Sequence, residues 1–103
     1  ALFMARFGDL IDIEVPVLLE FYIKQDEISN TMYPVLKDVA DALGKKVKVI
    51  KIDLEKNNKL AEALRIKGAP TLMIYYRGEM KWRQSGDEDA NSLIGRLKDF
   101  CEN

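Results

Sequence analysis

Apolar and polar positions change rhythm several times along the chain, and each rhythm names an element. Met4, Phe7, Leu10 and Ile11 recur at helical spacing, so a short first helix is expected over residues 4 to 11. After Pro16, Val17-Leu18-Leu19-Glu20-Phe21-Tyr22 is almost continuously apolar, the pattern of a strand covered on both faces. A second helix is expected from about Ile28 to Leu43. Met32, Val35, Leu36, Val39, Ala40 and Leu43 form its stripe, and Gly44 is its stop. Pro34 lies inside that pattern and should kink it.

Residues 47 to 53, Val-Lys-Val-Ile-Lys-Ile-Asp, form a second strand. A strand, a helix and a strand in succession imply parallel pairing with a right-handed crossover. A short helix follows over Asn58 to Arg65, with Leu60, Ala61 and Leu64 inward. Residues 71 to 76 and 79 to 85 are two more strands, antiparallel across the turn at Arg77-Gly78. The charges of the last strand suit a sheet edge. Asp89 is placed to cap a final helix, whose core face would carry Leu93, Ile94, Leu97, Phe100 and Cys101. The order β-α-β-α-β-β-α describes an α/β domain with a mixed sheet and helices on both faces.

Composition narrows the chemistry. The 103 residues fit one domain, 1–103, long enough to bury a core without staples. Sixteen basic and 17 acidic residues leave a net charge of −1, so no general nucleic-acid surface or anionic-membrane face is expected. No apolar run could span a bilayer, and residues 1 to 6 lack a signal-peptide pattern. Histidine is absent, which removes imidazole bases and imidazole metal ligands. The single cysteine, Cys101, allows no internal disulfide and suits a reducing, cytoplasmic location. No cofactor and no metal site are expected.

The order of elements and their landmarks resemble the thioredoxin family. The markers are Pro-Val-Leu-Leu-Glu-Phe-Tyr at 16–22, Pro-Val-Leu at 34–36 and Val-Lys-Val-Ile-Lys-Ile-Asp at 47–53. Arg-Ile-Lys-Gly-Ala-Pro-Thr-Leu at 65–72, Gly78-Glu79 and Gly86 complete them. The likeness covers about residues 16 to 100. It implies a thioredoxin-like fold: a central mixed sheet of four to five strands flanked by helices on both faces. It also implies a strand before the first helix, for which the chain offers only the residues ahead of Pro16.

One segment departs from the family's pattern. Where thioredoxins carry Trp-Cys-Gly-Pro-Cys, this chain has Gln25-Asp26-Glu27-Ile28-Ser29. Asp26 stands for the attacking cysteine and Ser29 for the resolving one. Disulfide exchange proceeds by thiolate attack on sulfur through a mixed disulfide, which neither residue can form. Asp26 and Glu27 read as capping acids at a helix N-terminus, and as two adjacent carboxylates they make a poor metal site. Ser29 has no evident base in sequence reach.

By resemblance, Glu20 takes the place of the family's buried acid and Lys51 that of its basic neighbour. With no thiol to deprotonate, they read as a partly buried charge pair, with Glu20's pKa raised by burial. Pro70 matches the family's cis-proline, beside which the backbone of Ala69 pairs with an extended substrate. Tyr22, Ile28, Ala69, Pro70 and Thr71 are therefore the expected peptide-binding residues. Cys101 reads as a structural thiol, and Trp82, Tyr75 and Tyr76 as packing groups.

The expected function is a thioredoxin-like protein without dithiol chemistry, not an active disulfide oxidoreductase as written. It would bind a protein or peptide partner beside the cis-proline, as a monomer or weak dimer. The alternative is a member of a thiol-disulfide oxidoreductase family, serving redox homeostasis, whose cysteines are lost or replaced in this chain. A third possibility is a docking domain with an exposed patch around Met32, Tyr33 and Pro70.

Overall fold

The computed structural model describes residues 2–101. Four strands form one sheet: β1 (Val17–Tyr22), β2 (Lys48–Asp53), β3 (Thr71–Tyr76) and β4 (Glu79–Ser85), in the order β2-β1-β3-β4. β1 pairs parallel with β2 from Val17 opposite Lys48 to Tyr22 opposite Asp53. It pairs antiparallel with β3, Phe21 opposite Thr71, and β4 completes a hairpin on β3. The expected sheet and its mixed sense are both present. Among the described residues no strand precedes the first helix, and β2 is an outer strand of the sheet.

Because side chains alternate across a strand, β1 feeds two cores. Leu18 joins Met32, Leu36, Val39, Leu72, Leu93 and Leu97 under helices α2 (Glu27–Leu43) and α4 (Ala90–Lys98). Leu19 and Phe21 join Phe7, Ile11, Ile52, Leu60 and Met73 on the other face, under α1 (Leu2–Ile11) and α3 (Asn58–Ala63). A strand covered on both faces can be apolar at every position, which is why β1 reads as a run.

The second helix is narrower on its buried side than its pattern predicts. Ser29, Met32, Leu36, Val39 and Leu43 are buried at alternating steps of three and four, whereas Ala40 is exposed and Val35 half-buried. The helix continues through Pro34, whose missing N–H removes the amide that would bond Asn30 O. Gly44 ends it at φ +52° and opens a 3-10 turn, Gly44–Lys46. The short helix α3 stops at Ala63, two residues before its expected end, because Arg65 turns to φ +56°. α4 stops at Lys98, so Phe100 and Cys101 lie beyond it and reach the core edge from the chain that follows.

Asp26 Oδ2 accepts the Ser29 N–H at 3.0 Å, and Asp89 Oδ1 accepts the Ser92 N–H at 2.8 Å, so two helices start on aspartate caps. Arg77 and Gly78, at φ +51° and +83°, make the β3–β4 turn, and the Gly78 N–H donates to Ile11 O at 3.2 Å. That bond ties the hairpin tip to the end of α1.

Candidate functional site

The site candidates meet at the C-terminal end of β1. There the chain leaves the sheet through Ile23 and Lys24 and enters α2 at its Asp26 cap. The antiparallel register ends with Phe21 opposite Thr71, so Tyr22, the last residue of β1, and Pro70, just ahead of β3, each lie one step beyond the last pair. The Ala69–Pro70 bond is cis, and Pro70 O accepts the Gly86 N–H at 2.8 Å. Thr71 is fully buried and its hydroxyl donates to Gly68 O at 2.6 Å. Its side chain therefore holds the loop rather than facing outward.

Pro70 is also buried, so the accessible apolar face is smaller and differently composed than the sequence implies. Tyr22 and Ala69 are half-buried, Ile28 is 52% exposed and Tyr33 is 62% exposed. The docking patch expected around Met32, Tyr33 and Pro70 does not form: Met32 and Pro70 are buried, and only Tyr33 reaches solvent. Tyr33 is the residue the pattern hides. It is an aromatic on the outer side of α2, and the buried row of that helix identifies it only by exclusion. Among the described residues, neither the N–H nor the C=O of Ala69 has a hydrogen-bond partner.

Asp26 and Ser29 are joined to each other. The Ser29 hydroxyl donates to Asp26 Oδ2 at 2.9 Å and accepts from the Ile23 N–H at 3.4 Å. The structure thus supplies Ser29 with the carboxylate neighbour that the sequence did not reveal. Yet Ser29 is fully buried, and the carboxylate is already engaged with the backbone it caps. An attacking hydroxyl must reach a substrate atom, and this one faces the protein. The pair is a helix cap with a second bond. Among the described residues no three Cys, Asp or Glu side chains converge as a metal would require.

Glu20 lies on β1, on the same face as Leu18, and is fully buried. Neither carboxyl oxygen has a hydrogen-bond partner. Removal from water pushes its pKa up to about 7, against a weaker opposing pull from Lys51. Lys51 Nζ lies 4.0 Å away with a side chain 39% exposed, so only the acid half of the expected buried pair is buried. The ammonium also lies 4.6 Å from the centre of the Tyr22 ring and 6.0 Å from that of Tyr33. The residues around Glu20 thus link the sheet to the outer aromatic face.

Arg83, on β4, is a positioning residue that the sequence did not single out. Its guanidinium donates to Leu64 O at 2.5 Å and Arg65 O at 2.8 Å, binding the end of α3 to the hairpin. Those carbonyls open the loop that leads to Ala69. Cys101 lies away from the site; its thiol is half-buried against Lys46 O at 3.7 Å, and burial raises its pKa.

Comparison with known proteins agrees with this frame. The thioredoxin family model matches residues 2–99. The chain is 35% identical over 99 residues to thioredoxin Y, chloroplastic, of Oryza sativa, covering 95% of this chain and 59% of that protein. It is 33% identical over 85 residues to a thioredoxin-like protein of Synechocystis, covering 82% of this chain and 81% of that one. A mutant thioredoxin from Halobacterium salinarum superposes with a TM-score of 0.84 at 26% identity, covering 96% of this chain and 86% of that one. The chain spans 52–59% of the plant thioredoxins Y that it matches. Fold, landmarks and relatives agree: the chain belongs to the thioredoxin family, and it lacks the family's paired cysteines.

Proposed function

We propose that the chain is a non-redox binding module that takes an extended peptide alongside Ala69. The observation that carries this reading is the unpaired N–H and C=O of Ala69, half-buried in the loop two residues before β3. An extended segment lying there gains main-chain bonds at little cost in ordering the protein. Ile28, Tyr33 and Tyr22 supply the adjoining apolar contacts, while Pro70 and Thr71 hold the loop from beneath. Disulfide exchange within the chain needs two thiols, and it has one. In this reading the protein is a monomer or weak dimer with a protein or peptide partner and no cofactor. The cytoplasmic placement expected from its one cysteine is retained within it. The rice relative's name places that protein in a chloroplast, and no helix among the described residues is long and apolar enough to cross a membrane.

The test is a peptide array followed by an amide NMR titration with the best binder. Shifts centred on Ala69, Ile28 and Tyr33, lost in Ile28→Glu, support the module. Shifts elsewhere overturn it. Insulin reduction above the rate of the added dithiol alone would sink the non-redox claim.

A second reading is favoured by the retained Glu20 and Lys51: an oxidoreductase frame that has lost its sulfurs. Asp26→Cys with Ser29→Cys should then restore some insulin reduction. A folded double variant without activity argues against it.

A further inference from the structure

A groove adjoins the proposed peptide site on the side of α2 and α4. The Gly86 N–H that bonds Pro70 O ties the loop ahead of α4 to the residue after Ala69. One residue further on, Asp87, Glu88 and Asp89 form one wall of a groove of about 450 Å3, whose other wall is Thr31, Met32 and Val35 of α2. Ile28, 52% exposed, precedes Thr31 by three residues and so shares its helix face, at the end of the groove toward the peptide site.

The acids of this wall differ in what they already hold. Asp89 Oδ1 is committed to the Ser92 N–H, and Glu88 Oε1 accepts the Asp89 N–H at 3.0 Å. Asp87 O accepts from the Gln84 side-chain amide at 2.8 Å, but among the described residues the Asp87 carboxylate has no hydrogen bond and no ion pair. Glu27, exposed one turn ahead of Thr31, has none either. The Thr31 hydroxyl donates to Ile28 O at 2.6 Å, which leaves its oxygen able to accept. Neither wall supplies a cation: residues 25 to 36 and 84 to 95 contain no lysine or arginine. Of the flanking cations, Lys37 pairs with Asp41, Arg83 holds two carbonyls, and Arg96 lies 4.6 Å from the centre of the Trp82 ring. Lys24 stands ahead of the Asp26 cap.

We propose, building on the Ala69 reading, that this groove takes a lysine or arginine side chain of the peptide bound there, so that the partner's segment is basic beside the residue paired with Ala69. The aliphatic stem lies along Val35 and the methyl of Thr31, and the cationic head donates to Asp87, Glu88 and the Thr31 hydroxyl. A side-chain cation suits the groove better than a metal ion. It shares several donors among separated acceptors, and no three acids converge on one point among the described residues. An acidic side chain at the same place would meet Glu27, Asp87 and Glu88 with no cation between them, which selects against it.

The probe is a labelled nonapeptide of alternating valine and threonine, with a series that carries one lysine at each position in turn. Fluorescence anisotropy at low salt should show a lysine at one position, or at two alternate ones, binding about fivefold tighter than the uncharged parent. High salt should remove that gain. Amide shifts should include Ala69 for both peptides, with Thr31, Val35 and Asp87 added for the lysine peptide. Asp87→Asn with Glu88→Gln, which leaves the Asp89 cap in place, should bring the ratio of the two affinities to one without altering the circular dichroism spectrum. Asp87→Lys should move the preference to a glutamate at the same peptide position. If the parent binds at Ala69 and lysine adds nothing, adds equally at every position, or keeps its gain in the Asp87 and Glu88 variant, the groove assignment is overturned and the Ala69 reading stands. Shifts at Thr31 and Asp87 without Ala69 overturn the joint site. A series in which no peptide binds removes the Ala69 reading and the groove assignment together.

Discussion

Glu20 is the residue whose environment demands most explanation. A buried carboxyl with no hydrogen bond is uncharged at low cost and charged at high cost. Its folded pKa, about 7, lies above its ordinary value of 4.5, so the folded state holds the proton more tightly than the unfolded chain. The protonated contribution is complete below about pH 4.5 and is lost as pH rises through 7. Stability should fall by roughly 2–3 kcal/mol across that window. Glu20→Gln should flatten the curve of urea midpoint against pH, leaving the variant more stable than wild type at pH 8. A variant with the wild-type slope would refute this account of Glu20. Lys51→Met removes the cation that opposes the rise, so NMR titration should place the Glu20 midpoint above its wild-type value.

At this scale the sequence revealed the acid and its cation but not their unequal burial. Spacing along β1 puts Glu20 between Leu19 and Phe21 in an apolar run, which is enough to expect burial. Whether Lys51 follows it inward depends on β2 being an outer strand, a fact of topology. Tyr33 was hidden for a related reason. An aromatic on a solvent-facing helix position has no periodic signature, and only the packed site shows what lies beside it.

Among elements, α2 rests on one cap. Asp26 takes both the Ser29 amide and hydroxyl, so Asp26→Ala should cost about 1 kcal/mol in urea unfolding. Asp26→Asn, which keeps an acceptor, should recover most of it. Arg83 holds a different junction. Arg83→Ala frees the carbonyls of Leu64 and Arg65, and hydrogen exchange should speed in residues 64 to 69 while the amides of β3 keep their protection. Element order and strand ends were legible because β1 and β3 are covered on both faces and the turns carry glycine. The ends of α3 and α4 were not. Arg65 adopts a left-handed conformation that its side chain does not announce, and Phe100 and Cys101 keep apolar character past the last helical turn.

For the molecule as a whole, one sheet separates two cores that share strands but few side chains. Leu93→Ala, under α4, should cost about 2–5 kcal/mol, and Ile52→Val, on the opposite face, about 0.5–1.5 kcal/mol. The double variant should equal the sum within about 0.5 kcal/mol, since the two sites share no partner. A larger coupling in chemical denaturation would mean that the sheet transmits strain between its faces.

The hairpin tip illustrates what exposure alone conceals. Arg77 and Gly78 are exposed at a tight turn, the kind of place where protein engineers graft epitopes or split a chain. But the Gly78 amide is also the clasp on the last turn of α1, and Asp12 lies 3.5 Å from where a side chain at Gly78 would begin. A graft there would release the N-terminal helix from the sheet it covers. The better seam is the exposed stretch at Lys45-Lys46, whose bond to a distant part of the chain, from the Cys101 thiol to Lys46 O at 3.7 Å, is a weak one.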